Sequence, residues 1–103
     1  MRHKLMDMVL RIDAARCLVY ELAYRIKHQA GDPNQLVARI CMAKVLATQA
    51  MQFCADQSLQ ILGGMGYMRG TRSERIYREV KVMMIGGGSE EILKDLAARQ
   101  LGI

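Results

Sequence analysis

Tryptophan is absent from the 103-residue chain, and aromatic residues make up only 5% of it. The core must therefore be built from aliphatic side chains and the nine methionines, which pack helix against helix more readily than they fill a sheet. A single proline, Pro33, leaves room for long uninterrupted helices. With 51% hydrophobic residues the chain is too apolar to be disordered, and its length suits one small all-α domain.

The cysteines, Cys17, Cys41 and Cys54, are odd in number and have no CxxC spacing. They argue against a disulfide framework or a zinc site and favour reduced thiols in an intracellular protein. His3 and His28 lie too far apart along the chain to form a metal-binding pair. No apolar run approaches the ~20 residues that a membrane-spanning helix needs, and charges near the start are unlike a signal peptide. We therefore expect no metal, no membrane span and no targeting signal in this chain.

The net charge of +5 comes from 15 Lys and Arg against 10 Asp and Glu, which are scattered along the chain. Such scatter is typical of solvated helix surfaces. A nucleic-acid partner is disfavoured, because no recognition helix with clustered basic residues stands out and aromatic side chains for base stacking are scarce.

Apolar residues recur at the i, i+3, i+4, i+7 spacing of one helix face through the first part of the chain. This spacing predicts a long helix over roughly residues 1 to 29, with Gly31 as a left-handed stop. Its predicted apolar face consists of Leu5, Met8, Val9, Ile12, Ala15, Val19, Leu22, Ala23 and Ile26.

A second long helix is predicted from about Pro33 to Leu62, with Asp32 as its cap and a glycine pair, Gly63 and Gly64, at its end. The short connection makes the two long helices antiparallel neighbours. The predicted apolar face of the second helix consists of Leu36, Val37, Ile40, the aliphatic stem of Lys44, Ala47, Met51, Cys54, Ala55 and Leu59.

Two shorter helices follow an irregular stretch, "MGYMRGT", at residues 65 to 71. The first of them covers "SERIYREVKVMM", residues 73 to 84, with Ser73 or Thr71 as its cap. A triple glycine at 86 to 88 ends it, and Ser89 caps the last helix, "EEILKDLAARQL". The predicted fold is an all-α antiparallel bundle of two long and two short helices.

Both glycine clusters allow two interpretations. Gly63 and Gly64 can simply end a helix, or they can expose backbone amides to a ligand. Three consecutive glycines cost about 0.5–1 kcal/mol each relative to alanine, so a strained turn, close packing or a ligand should offset that cost. Ser89 can cap a helix or donate to a ligand held at the same helix start. Glu90 and Glu91 are interpreted as helix-start acids rather than general bases, because the helix dipole stabilises their charged forms.

Taken together, "QILGGMGY" and "RIYREVKVMMIGGGSEEI" resemble the C-terminal helical domain of acyl-CoA dehydrogenases. The family pattern is Q-x-x-G-G-x-G-[YF], then R-x-x-R-D-x-[KR]-[IL], then I-[YF]-E-G-T-[SN]-E-I, with Ala-Arg near the end of the last helix. The matching residues are Gln60, Gly63, Gly64, Gly66, Tyr67, Arg75, Arg78, Lys81, Ile85, Gly88, Glu91, Ile92, Ala98 and Arg99. The resemblance implies that residues 1 to 103 form such a domain, beginning inside its first helix and without the family's N-terminal helical and middle β-domains.

The resemblance implies α,β-dehydrogenation of acyl-CoA thioesters. In this chemistry a carboxylate removes the α-proton, the β-hydride passes to N5 of FAD, and an electron-transfer flavoprotein accepts the electrons. The carboxylate is the Glu of the Y-E-G-T stretch in most members, and Gly87 stands at that position here, after Gly86 in place of Tyr. Long-chain and isovaleryl-type members also lack this Glu and carry the base on an earlier helix. The resemblance therefore implies no catalytic base in this chain, and a roomier pocket mouth at the turn.

The same resemblance implies FAD contacts. Gln60 and Gly64 correspond to positions that touch the ADP part of FAD in the neighbouring subunit. Ser89 corresponds to a Thr whose hydroxyl binds an FAD phosphate, Glu91 to a residue beside the flavin, and Gly88 to a glycine beside the acyl-CoA. A homo-oligomer in the bacterial cytoplasm or the mitochondrial matrix is implied as well.

A second hypothesis makes the chain a helical self-association module without flavin. It follows from the glycine at position 87 and from the absence of the other family domains. Apolar stripes of Met, Leu and Val that are not covered by those domains would drive association of copies.

Overall fold

A computed structural model describes all 103 residues as five helices without a strand. The helices are α1 (Arg2–His28), α2 (Pro33–Leu62), α3 (Gly64–Tyr67), α4 (Arg72–Ile85) and α5 (Glu90–Leu101). The all-α prediction is confirmed, whereas the antiparallel order of the long helices stays a prediction. None of the five helices combines the length and the apolar character needed to cross a bilayer.

The second helix begins where the sequence indicates. The Asp32 carboxylate accepts a hydrogen bond from the Asn34 amide at 3.1 Å, and Pro33 takes the first helical position. At the start of α4, Thr71 rather than Ser73 is the cap.

The first helix ends differently from the prediction, on Gln29 rather than on Gly31. Gln29 has the left-handed conformation, with φ 49° and ψ 40°, and the next amide, of Ala30, donates to the Arg25 carbonyl at 3.0 Å. This closing bond requires a left-handed residue directly after the last helical one, and that position is held by Gln29. Gly31 also has a positive φ, 90°, but lies in the connection beyond the helix end.

The short helix α3 overlaps the start of the stretch predicted to be irregular, which corrects the predicted number of helices from four to five. The Gly66 amide donates to the Gly63 carbonyl at 2.9 Å and so closes a single turn. Gly66 is also buried against α2, because it has no side chain to hold the two backbones apart.

The core consists chiefly of alanine, one of the residue types predicted for it, and methionine contributes less than predicted. The buried apolar side chains are Ala15, Leu22, Ala38, Cys41, Ala43, Val45, Ala50, Ala55, Val80, Met84 and Ala97. Met84 is thus the one buried methionine, and Met42 and Met83 are about half exposed, at 46% and 51%. Alanine lets helix axes approach closely, so larger side chains are left at the flanks of each contact.

The second helix lies at the centre of the domain and contacts each of the other four. The first helix packs against α2 and buries only Ala15 and Leu22 of its predicted apolar face. Leu5, Val9 and Val19 of that face remain 44–48% exposed. One side of α1 is therefore apolar and uncovered within a single chain.

Candidate functional site

The triple glycine forms a turn between α4 and α5 that only glycine adopts without strain. Gly87 and Gly88 have φ values of +73° and +115°, which L side chains rarely adopt. A β-carbon on Gly88 would also lie 3.0 Å from Cδ2 of Leu93, on the first turns of α5. Conformation and packing thus both call for glycine at position 88, so the sequence "GGG" is explained in part without a ligand.

Lys44, from the middle of α2, holds this turn from the other side. Its Nζ donates to the carbonyl oxygens of Gly86 and Gly88, each at 2.5 Å. Hydrogen bonds from an ammonium group are stronger than those between neutral groups. The sequence pattern places only the aliphatic stem of Lys44 on the apolar face and assigns no role to its charged end, which has these two acceptors.

Ser89 combines capping with a free donor. Its Oγ accepts from the Ile92 amide at 3.4 Å, as predicted for the start of α5. The hydroxyl hydrogen has no acceptor among the hydrogen bonds of the chain, so it is available to a ligand. Amides of the first turn of α5 also lack partners within the helix, and they favour an anion at this end.

The Glu90 carboxylate accepts hydrogen bonds from two side chains of the domain. Its Oε1 accepts from Lys94 Nζ at 2.6 Å, one turn along α5, and from Gln49 Nε2 of α2 at 2.8 Å. These hydrogen bonds, that from Lys94 foremost, hold the pKa of Glu90 below its usual range. The interpretation of Glu90 as a helix-start acid is thus incomplete, since it also joins α5 to α2.

The remaining predicted residue at this end, Glu91, is exposed and makes no hydrogen bond or ion pair. Its carboxylate is therefore accessible to a ligand, but no contact within the domain holds it in one position.

A second cluster of predicted residues lies at the far end of α2. Gln60 is exposed on the last turn, and Gly63 has a φ of +63° that allows the chain to turn into α3. A shallow groove of about 300 Å³ follows this corner, and it is lined by Asp56, Leu59, Gln60, Gly63, Gly66 and Tyr67. Gly64 opens α3, and no heavy atom lies within 4 Å of the position of a β-carbon there, so its backbone is accessible.

The two clusters do not meet within one chain. Lys44 contacts the glycine turn, and Gln60 lies 16 residues further along the same helix. At a rise of about 1.5 Å per residue, they are about 24 Å apart along the axis of α2. Gln60 and Gly64 therefore belong to one surface, and the turn with Gly88, Ser89 and Glu91 to another.

The sequence interpretation missed Lys44 and Gln49, which fix the turn and Glu90 from α2. A weak signal was present, since Lys44 is a cation between Ala43 and Val45 on a face otherwise built of apolar residues. Its acceptors, however, lie 42 and 44 residues away, and no local pattern marks that contact.

Comparison with known proteins identifies the class of domain to which this geometry belongs. Residues 1–102 match the family profile described as acyl-CoA dehydrogenase, C-terminal domain. The crystal structure of a Mycobacterium smegmatis protein described as an acyl-CoA dehydrogenase is 40% identical, with a TM-score of 0.91 over 98% of this chain and 26% of that one. The chain therefore belongs to the acyl-CoA dehydrogenase family, and it matches the C-terminal domain.

Two curated relatives show how much of a full-length family member this chain covers. Probable acyl-CoA dehydrogenase YngJ of Bacillus subtilis is 37% identical over 98 residues, which are 95% of this chain and 25% of the relative. The human mitochondrial short-chain specific acyl-CoA dehydrogenase is 34% identical over 98 residues, 95% of this chain and 23% of that protein. The chain thus spans about a quarter of the length of the curated relatives that it matches.

Proposed function

We propose that this chain provides flavin contacts and subunit contacts to an FAD-dependent acyl-CoA dehydrogenase and does not provide the catalytic base. The observation that carries the proposal is the start of α5, where the Ser89 hydroxyl retains a free hydrogen beside unpaired helix amides. These groups suit an FAD phosphate, and Glu91 lies next to them, unpaired. FAD, when bound, would supply the hydride acceptor, while the residues of this chain would orient it.

The subunit contacts in this proposal follow from the separation of the two clusters. Within one copy, Gln60 lies about 24 Å along the axis of α2 from Lys44, which holds the turn before Ser89. One copy therefore does not bring Ser89 and Gln60 to the phosphates of the same FAD. Two copies would place Gln60 and Gly64 of one subunit at the ADP part of an FAD that touches Ser89 of the other. The proposal therefore includes a homo-oligomer.

The absence of a base in the turn follows from the residues that are present. Positions 86 to 88 carry no side chain, and the carboxylate of Glu90 is occupied by Lys94 and Gln49. Glu91 is exposed to solvent, and no hydrogen bond holds its carboxylate in position for proton removal. Removal of the α-proton is therefore assigned to a carboxylate outside this chain.

Acyl-CoA as substrate, with Gly88 beside it, and an electron-transfer flavoprotein as electron acceptor belong to the same proposal, as does a location in the bacterial cytoplasm or the mitochondrial matrix. They rest on family membership alone.

The test is an assay of acyl-CoA-dependent dye reduction with the purified chain, alone and mixed with the N-terminal domains of a long-chain or isovaleryl-type family member, which carry the base on an earlier helix. We expect no reduction by the chain alone and reduction only in the mixture with FAD. Activity of the chain alone would contradict the assignment of the base. A mixture that forms a stable complex but remains inactive and colourless would contradict the flavin role.

A helical self-association module without flavin is the second candidate, favoured by the uncovered apolar side of α1. Leu10 and Tyr20 on this helix are more than 60% exposed, and uncovered apolar surface of this kind marks interaction sites. Sedimentation equilibrium tests it: association with no flavin band after incubation with FAD favours this candidate, and a monomer at high concentration excludes it.

A further inference from the structure

The turn between α4 and α5 has few hydrogen bonds of its own to hold its conformation. It contains three glycines in a row, which lose more conformational freedom on folding than any other residue. The Gly86 amide donates to the Val82 carbonyl at 2.7 Å, and the Leu93 amide donates to the Ser89 carbonyl at 2.9 Å. These bonds bracket the turn, but no backbone hydrogen bond of the turn involves Gly87 or Gly88.

The carbonyl groups of this turn are instead held by a single distant side chain. Lys44 is half-buried on α2, between the buried Ala43 and Val45. Its Nζ reaches the carbonyl oxygens of Gly86 and Gly88 together. One ammonium group thereby bridges the first and last glycines and restrains Gly87 between them.

Lys44 also meets the negative end of the α4 dipole. Gly86 is the C-cap of α4, and the last turn of α4 contains no basic residue of its own. A positive charge near a helix carboxyl end is stabilising. The ammonium of Lys44 supplies this charge from another helix, which is a second reason for it to stay in place.

We propose that Lys44 is the positioning residue of the glycine turn: it sets the conformation of residues 86–88 and thereby the direction in which Ser89 and the start of α5 face a ligand. The claim that Lys44 orders the turn follows from contacts within the chain. The claim that this order affects FAD binding rests on the function proposed above. Lys44 touches neither the flavin nor the substrate in this account. It acts through the turn.

The test uses 15N relaxation of the full chain, which reports the mobility of each turn amide. In the parent protein we expect order parameters of about 0.85 at Gly87 and Gly88, which are typical of a rigid backbone. Lys44→Met keeps the stem and removes the donors, and we expect values below about 0.6 at these two glycines, with the helices unchanged. Lys27→Met, which removes an exposed charge on α1, is the matched control and should leave the turn unaltered.

Lys44→Arg retains the charge and the donors and should restore most of the rigidity, which a purely steric role of Lys44 would not explain. If Lys44→Met fails to fold, as judged by circular dichroism, Lys44→Gln is measured in its place with the same expectation. Parent values already below about 0.6 at Gly87 and Gly88, or unchanged values in the Met or Gln variant, would overturn the proposal.

A separate FAD titration distinguishes this inference from the proposed function. If the parent and Lys44→Met show different turn mobility but neither binds FAD, the positioning role holds and the flavin role fails. If both bind FAD equally while the mobility of the turn differs, the turn is ordered by Lys44 but does not position the flavin contact, and the second half of the proposal is overturned.

Discussion

A β-carbon on Gly66 would lie 2.5 Å from the carbonyl oxygen of Leu59, closer than real side chains come to backbone. The contact brings the short helix α3 directly against the last turns of α2. It fixes the corner at which Gln60 and Gly64 are exposed, the two residues proposed to contact the ADP part of FAD.

Substitution of this glycine should therefore be costly. We expect Gly66→Ala to lower the free energy of unfolding by about 1–3 kcal/mol, because backbone on both sides of the contact must shift. Gly64→Ala is the matched control, since nothing lies within 4 Å of its β-carbon position, and it should cause little or no loss. Urea denaturation of both variants gives the comparison, and equal losses would contradict the close approach.

The ion pair between Glu74 and Arg78 should contribute more to the stability of the fold than the pair between Arg75 and Glu79 on the same helix. Arg78 Nε donates to Glu74 Oε1 at 2.5 Å, and the Glu74 side chain is only 11% exposed. Arg78→Met leaves this carboxylate buried without its partner, and we expect a loss of about 1–3 kcal/mol in stability.

The matched control for that prediction is Arg75→Met. Arg75 lies 3.9 Å from Glu79, both side chains are 60% exposed, and such pairs contribute little. We expect a change within about 0.5 kcal/mol. Thermal unfolding at neutral pH measures both variants, and a larger effect for Arg75 than for Arg78 would be inconsistent with the burial of Glu74.

Glu90 should make stability depend on pH in the acid range. Its hydrogen bond from Lys94, with the one from Gln49, lowers its pKa in the folded state. A lowered folded-state pKa gives a contribution that is complete above the unfolded-state pKa of about 4.3 and is lost as the pH falls through the lower folded-state value. Glu90→Gln should therefore flatten the decline in melting temperature below about pH 4.3.

A glutamate introduced at position 87, where the sequence resemblance implies the base of most family members, should not act as a base. Gly87 has a φ of +73°, where a side chain costs about 1–2 kcal/mol, and a β-carbon there would lie 3.7 Å from Lys44 Nζ. The adjacent ammonium would stabilise the charged carboxylate and weaken it as a base. We expect Gly87→Glu to be less stable than the parent and to give no faster dye reduction than the parent when mixed with the N-terminal domains of the assay above. Gly87→Asn should be destabilised less, because asparagine tolerates the left-handed region. A faster reaction of the Gly87→Glu mixture would contradict this view of the turn.

Local signals in the sequence predicted much of the fold. Asp32 followed by Pro33, and the glycine after Leu62, define α2 to the residue. Ser89 after three glycines similarly defines α5. Caps and breakers act within a few residues, so the information that they use is present in the sequence itself.

What could not be predicted depends on contacts between distant residues. The approach of Gly66 to Leu59 turns a stretch that looks irregular into α3, and the reach of Lys44 to Gly86 and Gly88 crosses more than 40 positions. Periodicity showed that Val9 lies on an apolar face of α1, but it could not show whether anything covers that face. The proposed flavin contacts were suggested as such only by resemblance. The residues alone indicated a ligand donor or a helix cap at Ser89, without naming the ligand, and gave no signal for Gln60.

The most direct test of the central claim is an amide NMR titration of the chain with FAD, with riboflavin as the control that lacks the phosphates and the adenosine. We expect FAD to shift the amide resonances of Gly64 and of Ser89 with its neighbours, and riboflavin to leave the Gly64 resonance unchanged. Shifts confined to other parts of the chain, or no shift at either glycine cluster, would contradict the claim that this domain contacts the flavin.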